Sequence, residues 1–177
     1  REELNVFFSQ PMKATYRTAF LGLFLTGFRF GELANLKWKH VDLTKRILTV
    51  ESDENFRTKT NNSERVIPIG ASLFNILKEL KCNDKEDYVF KSPNGGQLKE
   101  RRLLSKCKII AQRAGITSNA TLHKFRHTYA TFLIRNGVQI QNIKELLGHS
   151  TVTQTEIYAH NKSDHLHSDV KILDNIL

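Results

Sequence analysis

Residues 46–69 read RILTVESDENFRTKTNNSERVIPI, and the two ends of this stretch decide the fold class. Arg46-Ile-Leu-Thr-Val50 and Arg65-Val-Ile-Pro-Ile69 are short and rich in β-branched residues, which suit a half-buried pleated surface. Between them, 51–64 is polar and rich in Asn, Thr and charge, the composition of a connection rather than of a core. Pro68 has no N–H to give a neighbouring strand, so the second strand either lies at an edge or stops there. The stretch predicts a small antiparallel sheet of two or three strands.

Outward from the sheet the periodicity turns helical. Upstream, Tyr16, Ala19, Phe20, Leu23 and Phe24 form one apolar stripe that ends near Thr26-Gly27. Glu32, Leu33, Leu36 and Trp38 suggest a short helical piece. Downstream, Leu73, Ile76, Leu77 and Leu80 mark an amphipathic helix. Tyr88-Val-Phe90 reads as a short extended piece before a turn at Pro93-Asn-Gly-Gly96. Leu103, Cys107, Ile110 and Ala114 share a helical face, with Arg101, Ser105, Lys108 and Gln112 opposite and Gly115 as the stop. Residues 126–136 and 140–147 predict two helices joined through Asn136-Gly-Val138. Leu166, Val170, Leu173 and Leu177 predict a last one. No internal repeat or long linker interrupts the chain. The expected fold is α+β and mainly α-helical, a single domain over 1–177 with a small antiparallel sheet inserted near its N-terminal third.

Lys and Arg number 27 against 18 Asp and Glu over 177 residues, a formal charge of +9. A globular domain so basic points to a polyanion, nucleic acid first. Cys82 and Cys107 make no disulfide framework and no Cys-x-x-Cys metal spacing, which fits two free thiols in a reducing compartment. No apolar run approaches the roughly 20 residues that span a bilayer, and no signal-peptide pattern precedes the first helix. Asn61, Asn119 and Asn161 open chance Asn-x-Ser/Thr triplets. A first residue that is Arg1, and a single methionine at Met12, suggest a piece of a longer protein with further domains.

Several polar residues stand where propensity does not require them. Arg29 lies in Thr26-Gly-Phe-Arg-Phe-Gly-Glu-Leu33, and Lys59 in Thr58-Lys-Thr60. His123 and Arg126 lie in His123-Lys-Phe-Arg-His-Thr-Tyr-Ala-Thr131, three apart and so on one helical face. His149 closes Leu146-Leu-Gly-His149, and Tyr158 follows nine positions later in Thr155-Glu-Ile-Tyr-Ala-His160. Any one of these is weak. Their conjunction, in this order and spacing over about residues 20 to 160, resembles the tyrosine recombinase (phage integrase) family, with no departure at the six expected positions.

The resemblance implies a site-specific recombinase or integrase that cleaves and rejoins DNA through a covalent 3′-phosphotyrosyl link at Tyr158. It implies that Arg29 and Arg126 grip the phosphate, and guanidiniums suit that load because they stay charged and hold paired oxygens in a fork. It further implies His123 as acceptor of the phenol proton, His149 as a phosphate hydrogen-bonder, and Lys59 as general acid to the leaving 5′ oxygen. A free phenol is mostly protonated at neutral pH, so such help is needed. The residue types suit His123 and His149 to either role. Glu32 is expected to position Arg29 or the backbone rather than to take part in the chemistry. His127 reads as packing or support, His160 as a bystander beside the Tyr158 motif, and His40, His165 and His167 as structural or surface residues.

No Walker loop and no acidic two-metal cluster is present in the sequence, so no cofactor and no metal is expected. The expected partner is double-stranded DNA, with a homo-oligomer, a tetramer on two sites, and accessory DNA-bending proteins. The C-terminal helix at 166–177 either packs on its own domain or passes between protomers. Lys99, Arg101, Arg102, Lys106, Lys108 and Arg113 form a basic stripe suited to phosphate contacts, or simply a solvated helix face. The expected setting is the cytoplasm and nucleoid of a prokaryote, phage or mobile element, away from membranes. Two other readings stay open: a non-catalytic helix-turn-helix module over 126–147, and a type IB topoisomerase.

Overall fold

The structure is a computed structural model that describes residues 2–52 and 64–148, together with residues 170 and 173. The described helices are α1 (Glu2–Ser9), α2 (Ala14–Thr26), α3 (Phe30–Asn35), α4 (Ala71–Leu80), α5 (Glu100–Arg113), α6 (His123–Arg135) and α7 (Ile140–Leu147). A 3-10 turn at Trp38–His40 leads into strands β1 (Val41–Asp42), β2 (Ile47–Val50) and β3 (Arg65–Pro68). The strands form one antiparallel sheet in the order β1-β2-β3.

Helix α2 is the centre of the domain. Its second half, Ala19 to Thr26, is buried on every side, because Phe20, Leu21, Leu23, Phe24 and Leu25 leave it no polar face. It packs on α6 and α4, and a Cβ at Gly22 would lie 2.7 Å from the Phe90 ring and 2.9 Å from Leu33. Only glycine lets those neighbours close on the helix. The sheet lies beside this core with Leu48 paired to Ile67, both fully buried. Pro68 is the last residue of the edge strand β3, where its missing N–H costs no ladder bond.

Some boundaries differ from those read in the sequence. Helix α6 begins at His123 rather than 126, because Lys124 and Phe125 already donate to the carbonyls of Thr121 and Leu122. Tyr88 and Lys91 form only isolated bridges, to Lys37 and Gln97, and no strand. Helix α1 has no periodicity to announce it, yet Phe7 and Phe8 dock it: Phe7 sits edge-on to Phe20 and to Phe125 with ring centroids 5.3 and 5.5 Å apart. Each such ring contributes about 2–3 kcal/mol by leaving water. Of the expected helix at 166–177, only Val170 and Leu173 are described, and both belong to the buried core. Among the described residues no helix is long and apolar enough to cross a membrane.

Candidate active site

The end of α2 sets the geometry of the site. Thr26 Oγ1 donates to the Gly22 carbonyl at 2.7 Å and accepts from the Phe28 amide at 3.1 Å. Gly27 then turns the chain at φ 65°, and any Cβ there would meet the Tyr129 ring at 2.7 Å. The turn delivers Arg29 as the residue that opens α3, one turn before Glu32. Glu32 Oε2 folds back to accept from the Arg29 amide at 2.9 Å, which fixes the helix start.

That carboxylate is shared by two guanidiniums. Arg29 Nη1 donates to Glu32 Oε1 at 2.9 Å. Arg65, the first residue of β3, donates from Nη2 to Oε2 at 2.9 Å and from Nη1 to Oε1 at 3.2 Å. Arg65 Nε also donates to the Leu146 carbonyl, near the end of α7, at 2.8 Å. Burial pushes the Glu32 carboxyl up. The hydrogen bonds and charge of Arg65, then the amide and charge of Arg29, outweigh it and hold the group below the usual carboxylate range.

Arg126 lies on the inward face of α6 and is 3% exposed. Its Nη1 donates to the Gly27 carbonyl at 2.7 Å and its Nη2 to the Leu147 carbonyl at 2.6 Å. These carbonyls end α2 and α7, where helix dipoles gather partial negative charge, so among the described residues the cation is hydrogen-bonded by carbonyls rather than by a carboxylate. Burial, and then the neighbouring Arg29 cation, pull its pKa down to about 10, which leaves it charged at neutral pH. Arg126 thereby joins the ends of α2 and α7, and further N–H donors of its fork are unspent among the described residues.

His123 opens α6 on the exposed rim, its ring edge-on to His127 with centroids 4.6 Å apart. Partial burial, then the charges of His127, Arg126 and Arg29, lower its pKa. It is therefore neutral at neutral pH and able to accept a proton.

The structure thus brings Arg29 beside His123 and Arg126, which follow it by more than ninety positions in the sequence. Lys59, His149 and Tyr158 lie outside the described residues. Glu32 contacts both the Arg29 guanidinium and the Arg29 backbone amide. Sequence reasoning missed Arg65, because it reads as one more charge beside a polar connection. The only sequence signal for it is a guanidinium at the head of a strand whose next residues are apolar. Among the described residues, no group of three or more His, Cys, Asp or Glu side chains is gathered as a metal would require. Lys99, Arg101, Arg102, Lys106, Lys108 and Arg113 are all exposed, on and just before α5.

The profile of the phage integrase family matches residues 2–165, and the chain belongs to that family. A tyrosine recombinase XerC-like protein of Caldanaerobacter subterraneus subsp. tengcongensis is 34% identical, over 81% of this chain and 45% of that protein. The chain spans about half the length of the curated relatives it matches. Among solved structures, the integrase from mycobacterium phage Brujita is similar with a TM-score of 0.77 at 22% identity, over 99% of this chain and 57% of that one. The Tn1549 transposon integrase, solved in complex with circular intermediate DNA, has a TM-score of 0.71 at 21% identity, over 84% of this chain and 57% of that one. At these identities the two structures speak for the fold.

Proposed function

We propose that this member of the phage integrase family carries the chemistry of a DNA strand-exchange enzyme. The observation that carries the reading is the charge of the buried cluster. Among the described residues, Arg29, Arg65 and Arg126 are set against the single carboxylate of Glu32, which leaves two positive charges in excess. A scissile phosphate supplies a negative charge, and more develops on its non-bridging oxygens as phosphorus becomes five-coordinate. Arg29, with 30% of its side chain exposed, and the unspent donors of Arg126 are the groups that receive it.

In this reading the Tyr158 phenolate oxygen attacks phosphorus and the bond to the 5′ oxygen breaks. The phenol proton passes to His123, and Lys59 gives a proton to the departing oxygen. His149 steadies the phosphate. The phosphotyrosyl bond retains the energy of the phosphodiester, so a second 5′ hydroxyl reseals the strand by the reverse steps without ATP or metal. Several protomers act together on two duplexes, and accessory DNA-bending proteins assist, while Val170 and Leu173 of the C-terminal segment pack in the core of their own domain. The exposed cations of α5 steer and hold the backbone without reading sequence. The setting is the prokaryotic cytoplasm, on chromosomal or mobile-element DNA, as the bacterial relatives suggest.

The test uses the full-length protein with a nicked, suicide-type duplex carrying its recombination site, in EDTA. A covalent protein–DNA adduct that disappears in Tyr158→Phe is expected. An adduct that survives the substitution, or none despite DNA binding, would overturn the reading and favour a binding module. Relaxation of any supercoiled plasmid, without site preference, would instead mark a topoisomerase.

A further inference from the structure

We propose that Arg65 is a positioning residue for this reaction: it fixes the Glu32 carboxylate and, through it, the Arg29 guanidinium that meets the phosphate. The inference rests on the reading above and concerns a residue to which that reading gives no step of its own.

The hydrogen bonds are reciprocal. Each Glu32 oxygen accepts from both arginines, Oε1 from Arg29 Nη1 and Arg65 Nη1, Oε2 from the Arg29 amide and Arg65 Nη2. The carboxylate plane is therefore set by the planar fork of Arg65, which a lysine ammonium cannot reproduce. Arg65 is itself held on other sides. Its Nε donates to the Leu146 carbonyl at 2.8 Å, its guanidinium carbon lies 5.5 Å from the Phe28 ring centroid, and its side chain is 7% exposed. Next to it Gly148 has φ 64°, and a Cβ there would come within 2.9 Å of Arg65 Nη1. The end of α7 is shaped to admit this side chain.

Electrostatics gives Arg65 a second task. Alone with Arg29, the Glu32 carboxylate would form a one-to-one ion pair and cancel the charge meant for the phosphate. Shared with Arg65, it orients Arg29 while the trio keeps a net positive charge. Among the described residues the Arg29 side chain has no other hydrogen-bond partner, so its direction depends on Glu32. A displacement of about 1 Å in such a group can cost about 10²-fold in rate.

The test compares Arg65→Lys and Arg65→Gln in the full-length protein on the suicide duplex, by single-turnover cleavage across DNA concentrations and by thermal unfolding. Cleavage at saturating DNA should fall about 10²-fold in Arg65→Lys, while the half-saturating concentration moves by less than about threefold. Combined with Glu32→Gln, the loss should stay near that of the worse single variant, because both act through one carboxylate. Cleavage by Arg65→Lys within about threefold of wild type would overturn the proposal, as would a loss confined to DNA affinity or losses that multiply in the double variant. Should both Arg65 variants be unfolded at the assay temperature, Arg65 would be a structural clamp and the positioning role would fall. Wild-type cleavage alongside an indifferent Arg65→Lys defeats this inference alone. Absence of a wild-type adduct defeats the functional reading and this inference together.

Discussion

The arginines around Glu32 and the cations along α5 are alike in chemistry and opposite in setting. In the cluster, the side chains of Arg65 and Arg126 are buried, and they donate to Glu32 and to carbonyls at helix ends. On α5, Arg101, Arg102, Lys106, Lys108 and Arg113 are exposed, and among the described residues none of them is ion-paired. Exposed charges keep their water, cost little, and act as a field that salt screens over about 8–10 Å. Buried charges give up their water, and their directions are then fixed by the groups that replace it. The first arrangement suits unspecific attraction to a polyanion. The second suits an anionic group held in one geometry, as the proposed reaction requires.

The contrast is sharpest at Glu32. Glu32→Gln removes the one carboxylate from between Arg29 and Arg65, and should cost about 3–5 kcal/mol in denaturant unfolding at neutral pH. Its folded pKa is depressed, so its contribution is complete above the usual carboxylate range and is lost as pH falls through the depressed value. Wild type should therefore lose stability in that acid window and the Gln variant should lose less. Equal acid sensitivity would mean the carboxylate is not held as described.

Arg126→Lys comes next. A lysine cannot span the Gly27 and Leu147 carbonyls while still facing a phosphate, so cleavage should fall about 10²–10³-fold with DNA affinity nearly kept. A loss seen only in affinity would place Arg126 with the α5 cations after all.

A smaller effect concerns pH. His123 is shifted down by partial burial and by neighbouring cations, so it stays neutral to lower pH than a free histidine. The acid limb of the cleavage rate should lie below about pH 6.5 and should vanish in His123→Gln. A limb unmoved by that substitution would assign the proton to another group.

The smallest effects belong to α5. Arg101→Gln or Lys108→Gln should weaken DNA binding a few-fold and leave the saturated cleavage rate unchanged. The salt dependence should flatten by about one unit of slope for each phosphate that is no longer neutralised. A fall in the saturated rate would mean that α5 shares in the chemistry.

The difference between the regions also separates what was legible in the sequence. The α5 stripe was fully legible, because Leu103, Cys107 and Ile110 recur at helical spacing and leave the cations outside. His123 and Arg126 were legible as a pair because three residues span one helical turn. Helix α1 was not, since two adjacent phenylalanines carry no period and acquire meaning only against Phe20 and Phe125.

By itself the sequence determined which residue types are present, the elements on which they lie, and the family whose order of motifs they follow. These depend on periodicity and on contacts within a turn, which neighbouring residues encode. Only the tertiary structure decided that Arg65 reaches Glu32 across 33 positions and Leu146 across 81, and that Arg126 reaches Gly27 across 99. Such pairs form because α2, α6, α7 and β3 bury their apolar faces together, and that packing brings helix-end carbonyls and guanidiniums into a space with little water.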